Sequence, residues 1–343
     1  MPGNGLGDDW VMTRWVVPLL LAALIVVAAG SLAVGSAPVP VWAGLTDWLA
    51  GRASAAALVI GAIRLPRTLL ALTVGACLGL AGAALQGLLR NPLADPGLTG
   101  ASAGAALGAA AVFYFGPVMG WLAWAGQFAP ALAGLLGAGV ALLAVLALAG
   151  AAQSAQVLLA GLAVSTLAGA LLAVALNFAP NPYAMQELVF WLLGSVSERG
   201  LAQLGVLLPA LAVGGALIWS QRPLLAALAL GEPVARSMGL DFARGARRVV
   251  LGAALLVGAA VAVAGAIGFV GLIVPHLVRP LVRHRPEKTL LPSALAGATL
   301  VNLADIAVRL LPPGREVKLG VLTTLIGAPL LIALIWKGRR QWL

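Results

Sequence analysis

The stretch RLPRTLLALTVGACLGLAGAALQGLLRNPLADPGLTGASAG, residues 64–104, decides the fold. Residues 68–89 carry no charged side chain and are long enough to cross a bilayer as a helix, which needs about 20 residues. The sequence RNPLADPG at 90–97 follows, and its prolines and glycine prevent the helix from continuing. A four-residue glycine spacing then lets two helices approach closely in lipid, at Gly100, Gly104 and Gly108. This pattern predicts a span, a rigid turn and a closely packed second span.

The composition extends this prediction to the whole chain. Of the 343 residues, 62% are hydrophobic and only 9% are charged, against about 25% charged in soluble domains. The mean hydropathy is +1.04. We therefore predict an all-α integral membrane protein that forms a single transmembrane domain over residues 1–343.

Hydropathy divides the chain into about ten transmembrane helices. We expect them at residues 15–36, 65–88, 97–115, 121–149, 157–178, 201–219, 249–266, 268–283, 289–311 and 317–336. We interpret residues 37–63 as an outer loop with interfacial tryptophans and QELVFWLLG (186–194) as a half-helix at the outer surface.

The basic residues choose the orientation. With both termini and the turns at 90, 220–248 and 279–288 in the cytoplasm, roughly two basic residues lie inside for each one outside. The net charge of +10 is therefore explained by loop charge, and we expect membrane lipid and no nucleic acid as a partner. A weak echo between residues 80–94 and 263–278 raises the hypothesis of an inverted repeat.

Residues 220–248 form the longest charged stretch. They predict two short helices broken near Gly231 and Gly239, with Glu232 and Arg236 one helical turn apart. Such a loop could simply be solvated, or it could be a firm docking element for a cytoplasmic partner.

Basic residues on the outer side allow two interpretations. Arg64, Arg67 and Arg309 could be cationic anchors for an acidic partner, since arginine binds carboxylates bidentately. The alternative is an Asp305–Arg309 pair within one helix, or arginines that only snorkel to the interface.

The chemistry that the chain lacks argues against other classes. No span carries a run of buried acids that could couple ion-driven transport, since Asp305 and Glu187 fall near outer ends, and the phosphate-binding GxxxxGK[ST] pattern is missing. His276 and His284 have no cysteine or paired carboxylate nearby, so we expect neither a metal site nor catalytic residues. If the protein pumps, a separate chain hydrolyses ATP, and we expect no cofactor bound to this one.

Several separate blocks resemble one family. The 64–104 stretch, GEPVARSMGL (231–240), GFVGLIVPHLVRPLV (268–282), ADIAVR (304–309) and GVLTTLIGAPLLIALIWK (320–337) are similar to permease subunits of bacterial type II ABC importers, the FecCD-like family. These importers carry vitamin B12, haem or ferric siderophores across the inner membrane. The likeness covers a core at 60–337, while the N-terminal helix and outer loop at 1–59 match by hydropathy only.

The resemblance implies partners and an assembly. It implies a second permease copy, in a homodimer or a heterodimer, with the transport path along the dimer axis. Two cytoplasmic ATPase subunits and a periplasmic or lipid-anchored substrate-binding protein complete the importer. Alternating access driven by ATP is the implied mechanism.

The resemblance also implies roles for individual residues. Arg64, Arg67 and Arg309 match arginines that pair with glutamates of the binding protein. The coupling helices of the 220–248 loop, which enter a cleft on the ATPase, are matched by Gly231, Glu232, Ala235, Arg236, Ser237 and Gly239. An inner gate is matched by Asn91, Leu93 and Ser154, and the helix lining the path by Leu162, Ser165 and Thr166.

The cargo stays open between the family's ligands. We expect an iron chelate, either a ferric siderophore or haem, because these are the commoner cargo, with vitamin B12 as the alternative. The alternative from another class is an ion-driven secondary transporter, and an intramembrane enzyme is the third.

Overall fold

The computed structural model describes residues 5–35, 38–119, 123–149, 154–197, 199–311 and 317–339. These residues form α-helices joined by short 3₁₀ and π turns, and the described ranges contain no β-strand. The helices are α1 (Gly5–Ala33), α2 (Val41–Leu49), α3 (Ala55–Leu58), α4 (Leu65–Leu89), α5 (Ala101–Met119), α6 (Ala129–Ala149), α7 (Ser154–Asn177), α8 (Pro182–Leu192), α9 (Leu204–Trp219), α10 (Arg222–Leu228), α11 (Glu232–Ser237), α12 (Phe242–Ala264), α13 (Val270–Val278), α14 (Pro286–Leu310) and α15 (Leu319–Arg339).

The apolar helices follow the predicted order. Among the described residues, seven helical segments are long and apolar enough to cross a membrane: Trp15–Ala33, Ala55–Leu89, Ala125–Ala149, Leu159–Asn177, Leu201–Trp219, Phe242–Ala264 and Pro286–Leu310. Three shorter apolar helices occupy the remaining predicted positions: Ala101–Gly116, Val270–Val282 and Leu319–Ala333. The all-α membrane fold is confirmed, while ten full crossings stay a prediction because these three are short.

Helix α4 is the centre of the bundle and packs against α12, α13 and α14. One of its faces consists of glycines, so its backbone touches the neighbouring backbones directly. Carbonyl oxygens occupy the places where a β-carbon on these glycines would be, pairing Gly75 with Gly297, Gly79 with Ser293 and Gly82 with Gly271. No residue larger than glycine fits these positions without moving a neighbouring helix.

The glycine spacing after the turn has two structural roles. Gly104 and Gly108 pack α5 against Ala133 and Gly137 of α6, as the spacing predicts. Gly100 differs, because it lies before α5 and ends a 3₁₀ turn with a φ of +79°. Only two members of the series therefore form the helix contact.

The segment at 37–63 is largely helical where the structure describes it, and its place on the outer side stays a prediction. Residues 41–49 form α2, and the chain is helical from Ala55 without interruption into α4. Ser54 caps this helix by accepting from the Ala57 N–H. Pro66, which has no N–H to donate, does not break this helix. The turn before it, Val59–Arg64, is a π turn, and its different hydrogen-bond pattern accommodates the proline.

Two connections between helices contain residues with positive φ. One follows Arg90, which has a φ of +51°, and brings Pro96 against Gly271. The other joins α12 to α13 through Gly265 and Phe269, with φ of +71° and +67°. The sequence echo between 80–94 and 263–278 is not a shared local structure, since Gly82 is helical where Gly265 is left-handed.

The charged loop contains the two predicted short helices, α10 and α11. Gly231 and Gly239 break them with φ of +112° and +75°, values that strongly favour glycine. The loop ends earlier than predicted, because Asp241 caps α12 through the Arg244 N–H and residues 242–248 already belong to that helix.

Two glycines of α6 offer a test of the backbone packing. We expect Gly137→Ala to lower the thermal unfolding midpoint, since the added methyl meets the Gly104 carbonyl and overpacking costs about 1–3 kcal/mol. Gly139→Ala is the matched control, because space around Gly139 is open and alanine favours helices. The measurement heats detergent-solubilised protein to a series of temperatures and uses size-exclusion chromatography to determine the fraction that remains folded. Equal midpoints for both variants would contradict the packing argument.

Candidate functional site

The predicted functional residues lie at the two ends of α4. We call them the Asp305 end, where Arg67 lies, and the Arg90 end, where the helix stops. Helices α10 and α11 lie at the Arg90 end, since α10 packs against α4 and the start of α14.

A buried carboxylate organises the Asp305 end. Asp305 is only 1% exposed and accepts from Nε of Arg67 at 2.8 Å (Oδ1) and 3.0 Å (Oδ2). Nη2 of Arg67 lies 2.8 Å from Oδ1, so the pair is bidentate. Arg309 donates from Nη2 to Oδ2 at 2.6 Å. The predicted alternative of an Asp305–Arg309 pair is therefore present, within a larger cluster.

Two of the arginines also hold the carbonyl end of α1. The last carbonyls of a helix have no partner within it and need donors from elsewhere. Arg309 donates from Nη1 to the carbonyls of Ser31 (2.8 Å) and Val34 (2.9 Å). Arg64 donates in the same way to Leu32 (2.8 Å) and Ala33 (2.9 Å). Sequence reasoning missed this junction, which joins α1, α4 and α14.

The arginine cluster, defined as Arg64, Arg67, Arg309 and Asp305, has an excess of positive charge. The guanidinium groups of Arg67 and Arg309 bind the one carboxylate, while that of Arg64 donates to the neighbouring α1 carbonyls. Arg67 is the most open of the three, with 19% of its side chain exposed against 7% for Arg309. The cluster could attract an acidic group, and Arg67 is the side chain that such a group would reach first. The docking role itself stays a prediction.

A cavity of about 540 Å³ opens at the same end, beside α8. Its wall combines aromatic rings, such as Phe113 and Trp191, with the charged side chains of Glu187 and Lys318. Phe113 and Trp191 meet edge to face with ring centres 6.4 Å apart. The cavity is a polar and aromatic recess, distinct from the arginine cluster.

Local hydrogen bonds stiffen the gate turn, residues 90–97. The Asn91 side chain accepts from the Leu93 N–H at 2.9 Å, and Asp95 accepts from the Gly97 N–H at 2.8 Å. Burial raises the pKa of the Asp95 carboxyl, and the Gly97 hydrogen bond offsets part of that rise. Asn91 and Leu93 are both exposed, as a gate requires. The third predicted gate residue, Ser154, begins α7, and its side chain lies outside the described part of the structure.

Two contacts attach the gate turn to α13. A β-carbon on Gly271 would lie 2.5 Å from Cγ of Pro96, so the proline ring sits directly on the α13 backbone. On the other side, the buried Gln86 donates from Nε2 to the Leu272 carbonyl at 3.0 Å and accepts from Arg279 at 3.1 Å. Gln86 was missed from the sequence, although a lone amide in an apolar span indicates such a bond.

Helix α11 is a single exposed turn held rigidly. Glu232 accepts from Nη2 of Arg236 at 2.7 Å, the i,i+4 pair that the sequence predicts. Ala235 faces inward and is fully buried, while the Ser237 hydroxyl donates to the Val234 carbonyl. The Arg236 guanidinium also lies 5.8 Å from the Phe242 ring centre. The docking element predicted in this loop therefore contains a defined short helix, and we call residues Glu232–Ser237 the α11 knob.

The predicted path-lining residues on α7 face two different surroundings. Leu162 and Thr166 share an exposed face, where the Thr166 hydroxyl donates to the Leu162 carbonyl at 2.8 Å. Ser165 differs, because its Oγ is buried and has no hydrogen-bond partner. The exposed face of α7 is mostly apolar, so within the membrane it needs lipid or another protein chain against it.

Within the described residues, no three His, Cys, Asp or Glu side chains lie close enough to hold a metal ion. The predicted polar side chains lie in two groups, one at each end of α4. One end presents clustered arginines and the other presents a rigid knob and an exposed turn.

Comparisons with known proteins identify the family of the chain. The model of the FecCD transport family matches residues 20–337. The chain is 38% identical over 338 residues to the vitamin B12 import system permease protein BtuC of Salmonella paratyphi A, covering 95% of this chain and 96% of that protein. BtuC of Salmonella typhi is 38% identical over 340 residues, with the same shares covered.

A solved structure shares the fold. It is described as an inward-facing conformation of a metal-chelate type ABC transporter, and it aligns with a TM-score of 0.79 at 30% identity. The alignment covers 95% of this chain and 99% of that one. The chain therefore belongs to the FecCD transport family of ABC importer permeases.

Proposed function

We propose that this protein is the permease subunit of an importer for vitamin B12 or a closely related metal chelate in the bacterial inner membrane. The observation that carries the proposal is the arrangement of two different contact surfaces at opposite ends of one rigid helix, α4. The arginine cluster suits an acidic donor protein, and the α11 knob suits a mechanical partner. Family membership supports the same division of roles.

The arginine cluster would face the outside and bind the substrate-binding protein. Its excess positive charge favours carboxylates, and Arg67 has the exposed guanidinium that reaches them. Arg64 and Arg309 would stabilise the docking site from inside the protein, because their N–H groups already donate to α1 carbonyls. The binding protein delivers the cargo above the transport path.

The α11 knob would face the cytoplasm with both chain termini and contact one of two ATPase subunits. Its ends are fixed by Gly231 and Gly239, and its centre by the Glu232–Arg236 pair. A rigid knob passes on the displacement of its partner, whereas a flexible loop would absorb it. ATP is hydrolysed by that partner and not by this chain.

Transport would require a second copy of the permease. The exposed face of α7, with Leu162 and Thr166, would then line a path between the copies, with Ser165 behind it. Asn91, Leu93 and Ser154 would close the cytoplasmic exit. ATP binding would rock the two copies against each other, and an apolar path would let a bulky ligand pass without trapping it.

The cargo proposal favours vitamin B12. The BtuC relatives are named for vitamin B12 import, and the solved neighbour is described as of the metal-chelate type. Cobalamin is itself a metal chelate, so it satisfies both descriptions. The iron chelate expected from the sequence is the second candidate, supported by the neighbour's description alone.

Uptake by the complete importer tests the cargo. We expect vesicles containing the permease, ATPase and binding protein encoded beside it to accumulate labelled cobalamin when ATP is supplied, and to stop with vanadate. Haem and a ferric siderophore serve as competitors in the same assay. Uptake of the iron chelate without cobalamin would replace the first candidate by the second. Proton-dependent uptake by the lone permease would overturn the importer proposal.

Arg67→Ala tests the docking surface. We expect the affinity for the binding protein to fall about tenfold or more, because one charge-assisted hydrogen bond contributes about 1.5–3 kcal/mol. Asp305 keeps Arg309 as a partner in this variant but loses its bond to α4, so folded protein is first selected by size-exclusion chromatography. Arg52→Ala is the control, since Arg52 is exposed and pairs only loosely with Asp47 at 3.6 Å. Affinities measured by biolayer interferometry that are equal for both variants would contradict docking at Arg67.

Gly239→Pro tests the ATPase contact. Proline requires a φ near −65° and has no N–H, whereas Gly239 has a φ of +75° and donates to the Arg236 carbonyl. We expect the α11 knob to lose its shape and the ATPase to fail to co-purify. Gly51→Pro is the matched control, with a φ of +67° and an N–H bonded to Trp48 at the other end. A stoichiometric, ligand-stimulated ATPase with Gly239→Pro would contradict the proposal.

A further inference from the structure

The last turn of α4 lies between two elements of the Arg90 end. A β-carbon on Gly87 would lie 3.4 Å from Cδ2 of Leu225 in α10 and 3.1 Å from Cβ of Pro286 in α14. Because Gly87 has no side chain, both neighbours reach the α4 backbone itself. The contact comes three residues before Arg90, where the gate turn begins.

Adjacent leucines of α10 point to different helices. Leu225 is fully buried and touches α4 at Gly87. Leu224, with 3% exposure, packs against Gly245 of α12 instead. Helix α10 thus contacts both α4 and α12, and Leu225 is the leucine of this pair that lies against Gly87, in the helix that carries the gate turn.

The link from the knob to α10 is short. The Gly231 N–H donates to the Leu228 carbonyl at 3.1 Å, and the Ala235 N–H donates to the Gly231 carbonyl at 3.0 Å. Three residues, Ala229, Leu230 and Gly231, separate α10 from α11, and α11 packs on α10. The linker between the two helices is short and hydrogen-bonded to α10. A displacement of the knob would therefore move α10 as well.

The far side of the gate turn is fixed. Pro96 rests on Gly271, and Gln86 joins α4 to α13 on the other side of the turn. The exposed residues Asn91 and Leu93 lie between these attachments. A push at Gly87 is then applied next to Gln86, at the α4 end of a turn that is attached to α13 on both sides.

We infer that Leu225 is the positioning residue that transmits movement of the coupling loop to the gate turn, through its contact with the α4 backbone at Gly87. The inference rests on the proposed function, because it needs the knob to move with an ATPase and the turn to act as a gate. It adds the place where the two are joined.

Leu225→Ala and Leu224→Ala form the test pair. Both changes remove the same atoms from buried sites in one helix, so the loss of stability is comparable. In vesicles with the full importer, we expect Leu225→Ala to bind the ATPase and keep ligand-stimulated hydrolysis. Its cargo transported per ATP should fall roughly fivefold, within the range of mutational effects on coupling. Leu224→Ala should keep the wild-type ratio, and Leu225→Met, which retains the volume, should restore it.

The outcomes separate the two levels of the proposal. If the wild type couples transport to hydrolysis and both alanine variants show its ratio, the role of Leu225 is overturned while the importer function stands. If the wild type shows no coupled transport, the proposed function itself fails. Should Leu225→Ala not fold, Leu225→Val removes a single carbon, and an unchanged ratio in that folded variant overturns the inference equally.

Discussion

The alignment of the central helices depends on the buried carboxylate of Asp305. An unpaired charge at the position of Asp305 would be very unfavourable, so Arg67 and Arg309 must lie where they can reach it. This requirement fixes the register of α4 against α14. The glycine contacts between the same helices then fall into place, because Gly75 meets Gly297 only in that register. The arrangement of both ends of the bundle follows from this one alignment.

Much of this could be predicted from the sequence, for physical reasons. Bilayer thickness and hydropathy set the helix segments, and the breaks at Gly231 and Gly239 predicted the knob. The three arginines were singled out together as one set. Their partner Asp305 was interpreted only as a neighbour of Arg309 in the same helix. Its bond to Arg67 spans 238 residues, and no local pattern encodes a contact at that separation.

The remaining differences come from backbone geometry and packing. Pro66 suggested a helix boundary, yet a π turn lets the helix run from Ala55 to Leu89. The turn after Arg90 was predicted to be rigid, but its attachment to Gly271 depends on a segment that is distant in sequence. Ser165 and Thr166 are neighbours on α7 and still face different surroundings. Residue type alone could not decide which of them meets the path.

The arginine contacts with α1 have a consequence for biosynthesis. The carbonyl end of α1 is formed early in translation, and Arg64 reaches it soon afterwards. Arg309, which completes that end, follows Ser31 by 278 residues. Through most of synthesis the first helix therefore has an unfinished end, and the nascent chain cannot close around it until nearly all of its helices have been made. Formation of this junction therefore requires both the first helix and α14, which is made late in synthesis.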